Sequence, residues 1–239
     1  MINSTLNDIL IPAEEFIYGT ADLDGLIGKK FGRLRYGISI GRRLDDSIID
    51  SIAQGPTLEY YHYYNQINRE LGEISERIRH KLEAAGFNAV VVSPTVPADM
   101  KESKHYLKTL SVDVSHKMVA TRAGLGWIGK TDLFISERWG PRVRLCSILI
   151  DRNPGNLAVP VEESRCGKCD ICVKHCPAEA ATGALWNTGI HRDIFFNAHK
   201  CREMCGILAR QRFNMDIRIC GMCVAVCPVG KKGRLKAKA

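Results

Sequence analysis

CGKCDICVKHCP, residues 166–177, decides how the C-terminal part of this chain folds. Its four cysteines are separated by two, two and three residues, and a proline follows the last. Spacers of two let Cys166, Cys169 and Cys172 reach three corners of one iron–sulfur cubane from a single tight loop. The fourth thiolate, Cys176, is turned away by Pro177 and serves a second cubane. Downstream, CGMCVAVCP at 220–228 repeats the spacers of two and three. Laid over the first motif it matches Cys169, Cys172 and Cys176, so its leading cysteine is missing, and Cys201 or Cys205 in HKCREMCG is left to fill the place. By symmetry one [4Fe–4S] cluster takes Cys166, Cys169, Cys172 and the crossing Cys227. The other takes Cys220, Cys223, the crossing Cys176, and either Cys201 or Cys205. A zinc site is built instead from two separated pairs supplying four ligands, a plan that two interlocked triplets each ending in Cys-Pro do not follow.

Composition agrees with metal chemistry in a reducing compartment. Nine of the ten cysteines lie between Cys166 and Cys227. A disulfide framework belongs to short secreted chains, whereas reduced thiols are used for metal, and the expected location is cytoplasmic. The N-terminus MINSTLNDILIPAEEF has neither a basic start nor an apolar signal core, and no run reaches the roughly 18 apolar residues of a membrane span. The remaining cysteine, Cys146, sits in the apolar run LCSILI and reads as a small core residue. The formal charge is +8. Two clusters at about −2 each bring it to about +4. Five basic residues fall within the last nine, so the body of the protein is not notably basic, and neither nucleic acid nor a membrane is an expected partner.

Upstream of the cysteines the pattern is that of an α/β layered module. Residues 1–30 read as an irregular or helical lead-in ending in the loop Gly25–Gly28, followed by a strand over 33–41. From about Thr57 to Ala85, Ile67, Leu71, Ile74, Ile78 and Leu82 recur every three or four residues, one stripe of an amphipathic helix. Gly86 ends it in the manner of a C′ glycine, and FNAVVVSPT continues as a strand. SHKMVATRAGLGWIGK at 115–130 predicts a short helix capped by Ser115, then a loop in which Gly124, Gly126 and Gly129 allow close approach of a ligand. DLFISERWGPRVRLCSILID predicts a β-hairpin turning at Trp139–Pro141, and RNPGNLAVPVEES a linker. The expected organisation is an α+β chain with a module at 1–152, a double-cluster domain at 160–230 and a basic tail at 231–239.

AGLGWIGK at 123–130, the GPR of the following hairpin and the double-cluster motifs together resemble epoxyqueuosine reductase and, more distantly, the reductive dehalogenases. The resemblance is strong over about residues 110–228. It implies a nitroreductase-like α/β module that holds a corrinoid, followed by a bacterial ferredoxin-like domain whose clusters reduce its cobalt. It also implies Cys201 as the remote ligand, rather than Cys205. The family's proton-donating aspartate corresponds to Asp113 in VDVSHK, but the proline and glutamate of the family's VDxxPVxE stretch are missing here. The tRNA-binding extension that follows the clusters in those relatives is not expected. GPTLEYYHYYNQIN and the SHK triplet mark a shorter subgroup.

The expected function is passage of single electrons through two clusters to a cofactor or substrate in the N-terminal module, cobalamin first and flavin second. Asp113, His116 and Lys117 are candidate catalytic residues, and Gly124, Gly126, Gly129 and Lys130 candidate cofactor contacts, with Lys130 facing a phosphate or corrinoid side chain. The alternative is a ferredoxin-like carrier that meets a redox partner protein and has no substrate site. A tRNA epoxyqueuosine reductase is the third reading.

Overall fold

A computed structural model describes residues 2–231 of the chain, so the basic tail beyond Lys231 lies outside the described residues. In chain order the elements are α1 (Ile2–Ile9), β1 (Phe16–Asp22), β2 (Tyr36–Arg43), α2 (Asp46–Ser51), α3 (Leu58–Ala84), β3 (Ala89–Val92), α4 (Ala98–Glu102), α5 (Lys104–Thr109), α6 (His116–Arg122) and β4 (Gly126–Ile128). They continue with β5 (Phe134–Ser136), β6 (Val143–Ile150), α7 (Ile171–Lys174), α8 (Arg192–Phe195), α9 (Ala198–Phe213) and α10 (Met222–Val226). Among the described residues no helix is long and apolar enough to cross a membrane.

The architecture is mixed α/β, in two compact units that do not follow a single cut near residue 152. One comprises Met1–Arg43, Gln66–Leu125 and Arg144–Val161; the other comprises Leu44–Asn65, Gly126–Val143 and Glu162–Ala239. The first unit is built on a sheet of order β1-β2-β6-β3, with β1 antiparallel to β2 and β3 antiparallel to β6. The stripe read on α3 is its buried face: Ile67, Leu71, Ile74, Ile78 and Leu82 are all buried. Gly86 adopts a φ of 84° and ends the helix with Gly86 N–H donating to Glu83 O and Phe87 N–H to Leu82 O. Along β6 alternate side chains face α3 and α6: Cys146 is bonded by Ser75 of α3, while Leu149 packs with Val119 of α6 in an apolar cluster. Cys146 is fully buried, and burial pushes its thiol up to about 12, which keeps it an inert core residue.

Two expectations need correction. FIYGTAD, within the lead-in read as irregular or helical, is strand β1, paired residue for residue with β2 from Phe16–Arg42 to Asp22–Tyr36. The hairpin expected across Trp139–Pro141 does not form. Phe134–Ser136 pairs with Gly126–Ile128, placing Trp127 opposite Ile135, and β6 pairs with β3 in the other sheet. The reason is burial. LCSILI is apolar on both faces, and only an interior strand covered on both sides satisfies that pattern.

Candidate metal centres and the flanking glycine segment

The candidate cluster ligands lie in the second unit. Cys169 ends a turn whose N–H donates to Cys166 O, α7 carries Cys172, and the chain turns at Cys176 with its N–H on Val173 O. Cys201 and Cys205 occupy successive turns of α9, and α10 carries Cys223. The thiols of the two motifs lie close enough to act on one another electrostatically. Cys227 faces Cys172, Cys166 and Cys169, all of the first motif. Cys223 faces Cys220, Cys201, Cys172 and Cys176. Cys205 stands between Cys201 and Cys220 and is hydrogen-bonded to both, so both thiols of HKCREMCG belong to the second set.

The electrostatics suit a cationic iron–sulfide core. Burial pushes the Cys227 thiol up to about 12 and also raises Cys223 and Cys172, so without metal these positions favour the neutral form. A cluster supplies the positive charge that makes the thiolates stable there, and protons leave as it binds. Within the second set, hydrogen bonds to Cys201 and Cys220 push the Cys205 thiol up, and the same bond from Cys205 draws Cys220 down to about 7.

The glycine segment divides between the units. Asp113, His116, Lys117 and Gly124 belong to the first unit, and Gly126, Gly129 and Lys130 to the second. Each glycine has a reason inside the fold. A Cβ on Gly126 would lie 2.0 Å from Ile135 O, the strand paired with it; one on Gly124, at a φ of 69°, would lie 2.9 Å from Val159 O; and one on Gly129 would lie 3.1 Å from Ile135 Cγ1. Lys130 differs. It is only 6% exposed, and among the described residues its ammonium has no hydrogen bond or ion pair. Next to it, buried Thr131 hydrogen-bonds the Cys172 thiol.

Asp113 is half-exposed and ion-paired to Lys30. Ser115 occupies the N-cap position of α6 but makes no side-chain cap bond. His116 is tied at both nitrogens: Nε2 lies 2.9 Å from Ser93 O and Nδ1 2.9 Å from Ser147 Oγ. A carbonyl only accepts, so Nε2 carries the proton and Nδ1 accepts from the serine. Burial and, after it, the nearby Arg144 charge lower the His116 pKa to about 4. The ring is neutral at pH 7 and links α6 to β6. Below pH 6.5 the unfolded chain takes up a proton that the folded chain refuses until about pH 4. Stability present above that window is lost as pH falls through it, by about 3 kcal/mol at most. Denaturation at pH 7 and pH 4.5 should show this acid loss, and His116→Gln should flatten it.

Residues 165–230 match the 4Fe-4S double cluster binding domain. This makes the chain an iron–sulfur redox protein. It is similar to epoxyqueuosine reductases: to that of Aliivibrio fischeri with 26% identity over 188 residues, 74% of this chain and 42% of the relative. To that of Bacillus subtilis the identity is 32% over 145 residues, 56% of this chain and 35% of the relative. The chain thus spans about two fifths of the length of these curated relatives. Among solved structures it shares its fold with Bacillus subtilis epoxyqueuosine reductase (TM-score 0.58, 18% identity, 97% of this chain and 67% of the other). It also shares it with a reductive dehalogenase described with a mechanism for B12-dependent dehalogenation (TM-score 0.60, 16% identity, 84% and 26%).

Proposed function

We propose that the chain passes single electrons through two [4Fe–4S] clusters to an acceptor held by the α/β module, with cobalamin the first candidate and flavin the second. The observation that carries this reading is the match of residues 165–230 to a 4Fe-4S double cluster binding domain, and it is supported by the electrostatic action of the first motif's thiols on Cys227. When bound, each cluster supplies one-electron transfer at a potential set by its surroundings. Cobalamin is supported by the fold shared with a B12-dependent dehalogenase. Lys130 is the candidate contact for an anionic group of the acceptor, because it is a cation in the glycine segment whose side chain is held largely out of solvent.

Anaerobically purified protein should hold about eight irons and eight sulfides per chain. Titrated with cobalamin, and separately with flavin mononucleotide, it should change its spectrum and release binding heat at tens of micromolar, about −6 to −7 kcal/mol, with Lys130→Ala binding more weakly. Iron near four, or stoichiometric zinc, overturns the two-cluster half of the reading; silence with both cofactors overturns the acceptor half. That silence would leave the carrier reading, which one observation favours: the three glycines of the segment are engaged by the chain itself. A tRNA substrate is tested by adding an epoxyqueuosine-containing stem loop to the reduced protein and looking for queuosine.

A further inference from the structure

Trp127, in β4, is only 7% exposed, and its indole Nε1 lies 3.4 Å from the Cys166 sulfur. An indole N–H is a donor and never an acceptor, so the direction of this bond is fixed whatever the state of the sulfur. The guanidinium of Arg165, the residue before that cysteine, stands over the indole 5.7 Å from its ring centre and is ion-paired to Glu137. Glu137, Arg165, Trp127 and Cys166 thus form one chain of contacts within the second unit, ending on a thiol of the first cysteine set.

We propose that Trp127 is a positioning residue of the first cluster, whose indole N–H bond to the Cys166 sulfur raises that cluster's reduction potential. The reason is electrostatic. Reduction adds one electron to a core whose charge is spread over its sulfurs, and a donor aimed at one of them stabilises the electron-rich state more than the electron-poor one. The Thr131 hydroxyl on Cys172 acts in the same sense on the same cluster, so both side-chain donors come from the segment Gly126–Thr131. That segment, read from the sequence as a cofactor loop, has a role toward the metal centre. The proposal rests on the two-cluster reading, whose failure shows separately as iron near four.

The test is a redox titration of the whole chain, reduced stepwise with dithionite and followed by electron paramagnetic resonance. Native protein and Trp127→Phe are compared after both are shown to hold about eight irons. Phenylalanine keeps a ring and loses the donor. At a fixed poise, the reduced-to-oxidised ratio of one cluster should fall on the order of tenfold, about 59 mV for one electron, while the other stays put. Unchanged potentials overturn the proposal, and so does an equal shift of both clusters, which general loosening of the fold would give. A second measurement needs no variant. In native protein labelled with ¹⁵N-tryptophan, pulsed resonance should show a nitrogen coupling on one of the two cluster signals, and its absence from both signals also overturns the proposal.

Discussion

Cys227→Ala should retain about four irons instead of about eight, and the cluster it loses should be the one bound by the first motif, at the other end of the domain sequence. Cys227 faces Cys172, Cys166 and Cys169, so its removal leaves that set with three thiols. The companion comparison is Cys201→Ala against Cys205→Ala. Both thiols stand beside Cys220 or Cys223, and the resemblance to epoxyqueuosine reductase implies Cys201 as the remote ligand. Cys201→Ala should therefore fall to about four irons and Cys205→Ala should keep about eight. Iron and sulfide analysis of the three variants, prepared anaerobically, decides the matter. Full iron in Cys201→Ala together with loss in Cys205→Ala would exchange the two roles.

Arg142→Ala should cost about 3–5 kcal/mol of stability, near 10 °C in melting temperature for a chain of this size. Arg142 is 1% exposed, the largest of the fully buried side chains. Its Nη1 bonds Asp46 Oδ1 at 2.9 Å and Asp46 O at 3.2 Å, and its Nη2 reaches Asp50 Oδ1 and, at 3.4 Å, Ala225 O. It thereby joins the start of α2 to α10, the helix that carries Cys223. Truncation leaves a cavity, strands the Ala225 carbonyl and loosens the frame of the second set, so iron should also be lost faster to a chelator. The carboxylates are more exposed, Asp46 27% and Asp50 60%, so Asp50→Ala alone should cost under about 1 kcal/mol. Thermal melts and chelation rates of the two variants separate these expectations. Equal, small effects would mean that water reaches the guanidinium once α2 relaxes.

What the sequence determined by itself is local. Spacers of two and three residues set which thiols can share a cubane, because so short a loop has few ways to turn. The same holds for the α3 stripe, whose apolar period specifies a buried face without naming what covers it. Cys146 was legible as core because a run apolar at all but one position, Ser147, needs burial on both sides. Tertiary structure decided the rest, wherever the energy of a residue comes from a partner far along the chain. FIYGTAD is a strand because β2 supplies its hydrogen bonds, and Phe134–Ser136 turns to Gly126–Ile128 because its neighbour Val143–Ile150 is drawn into the other sheet. The glycines of AGLGWIGK read as room for a ligand, yet each is required by a carbonyl or side chain of the chain itself. The contacts of His116 with Ser93 and Ser147, and of the Trp127 N–H with the Cys166 sulfur, are likewise set by the fold. Composition and spacing carry no term for such contacts, since they arise from two segments brought together after each has its own local form.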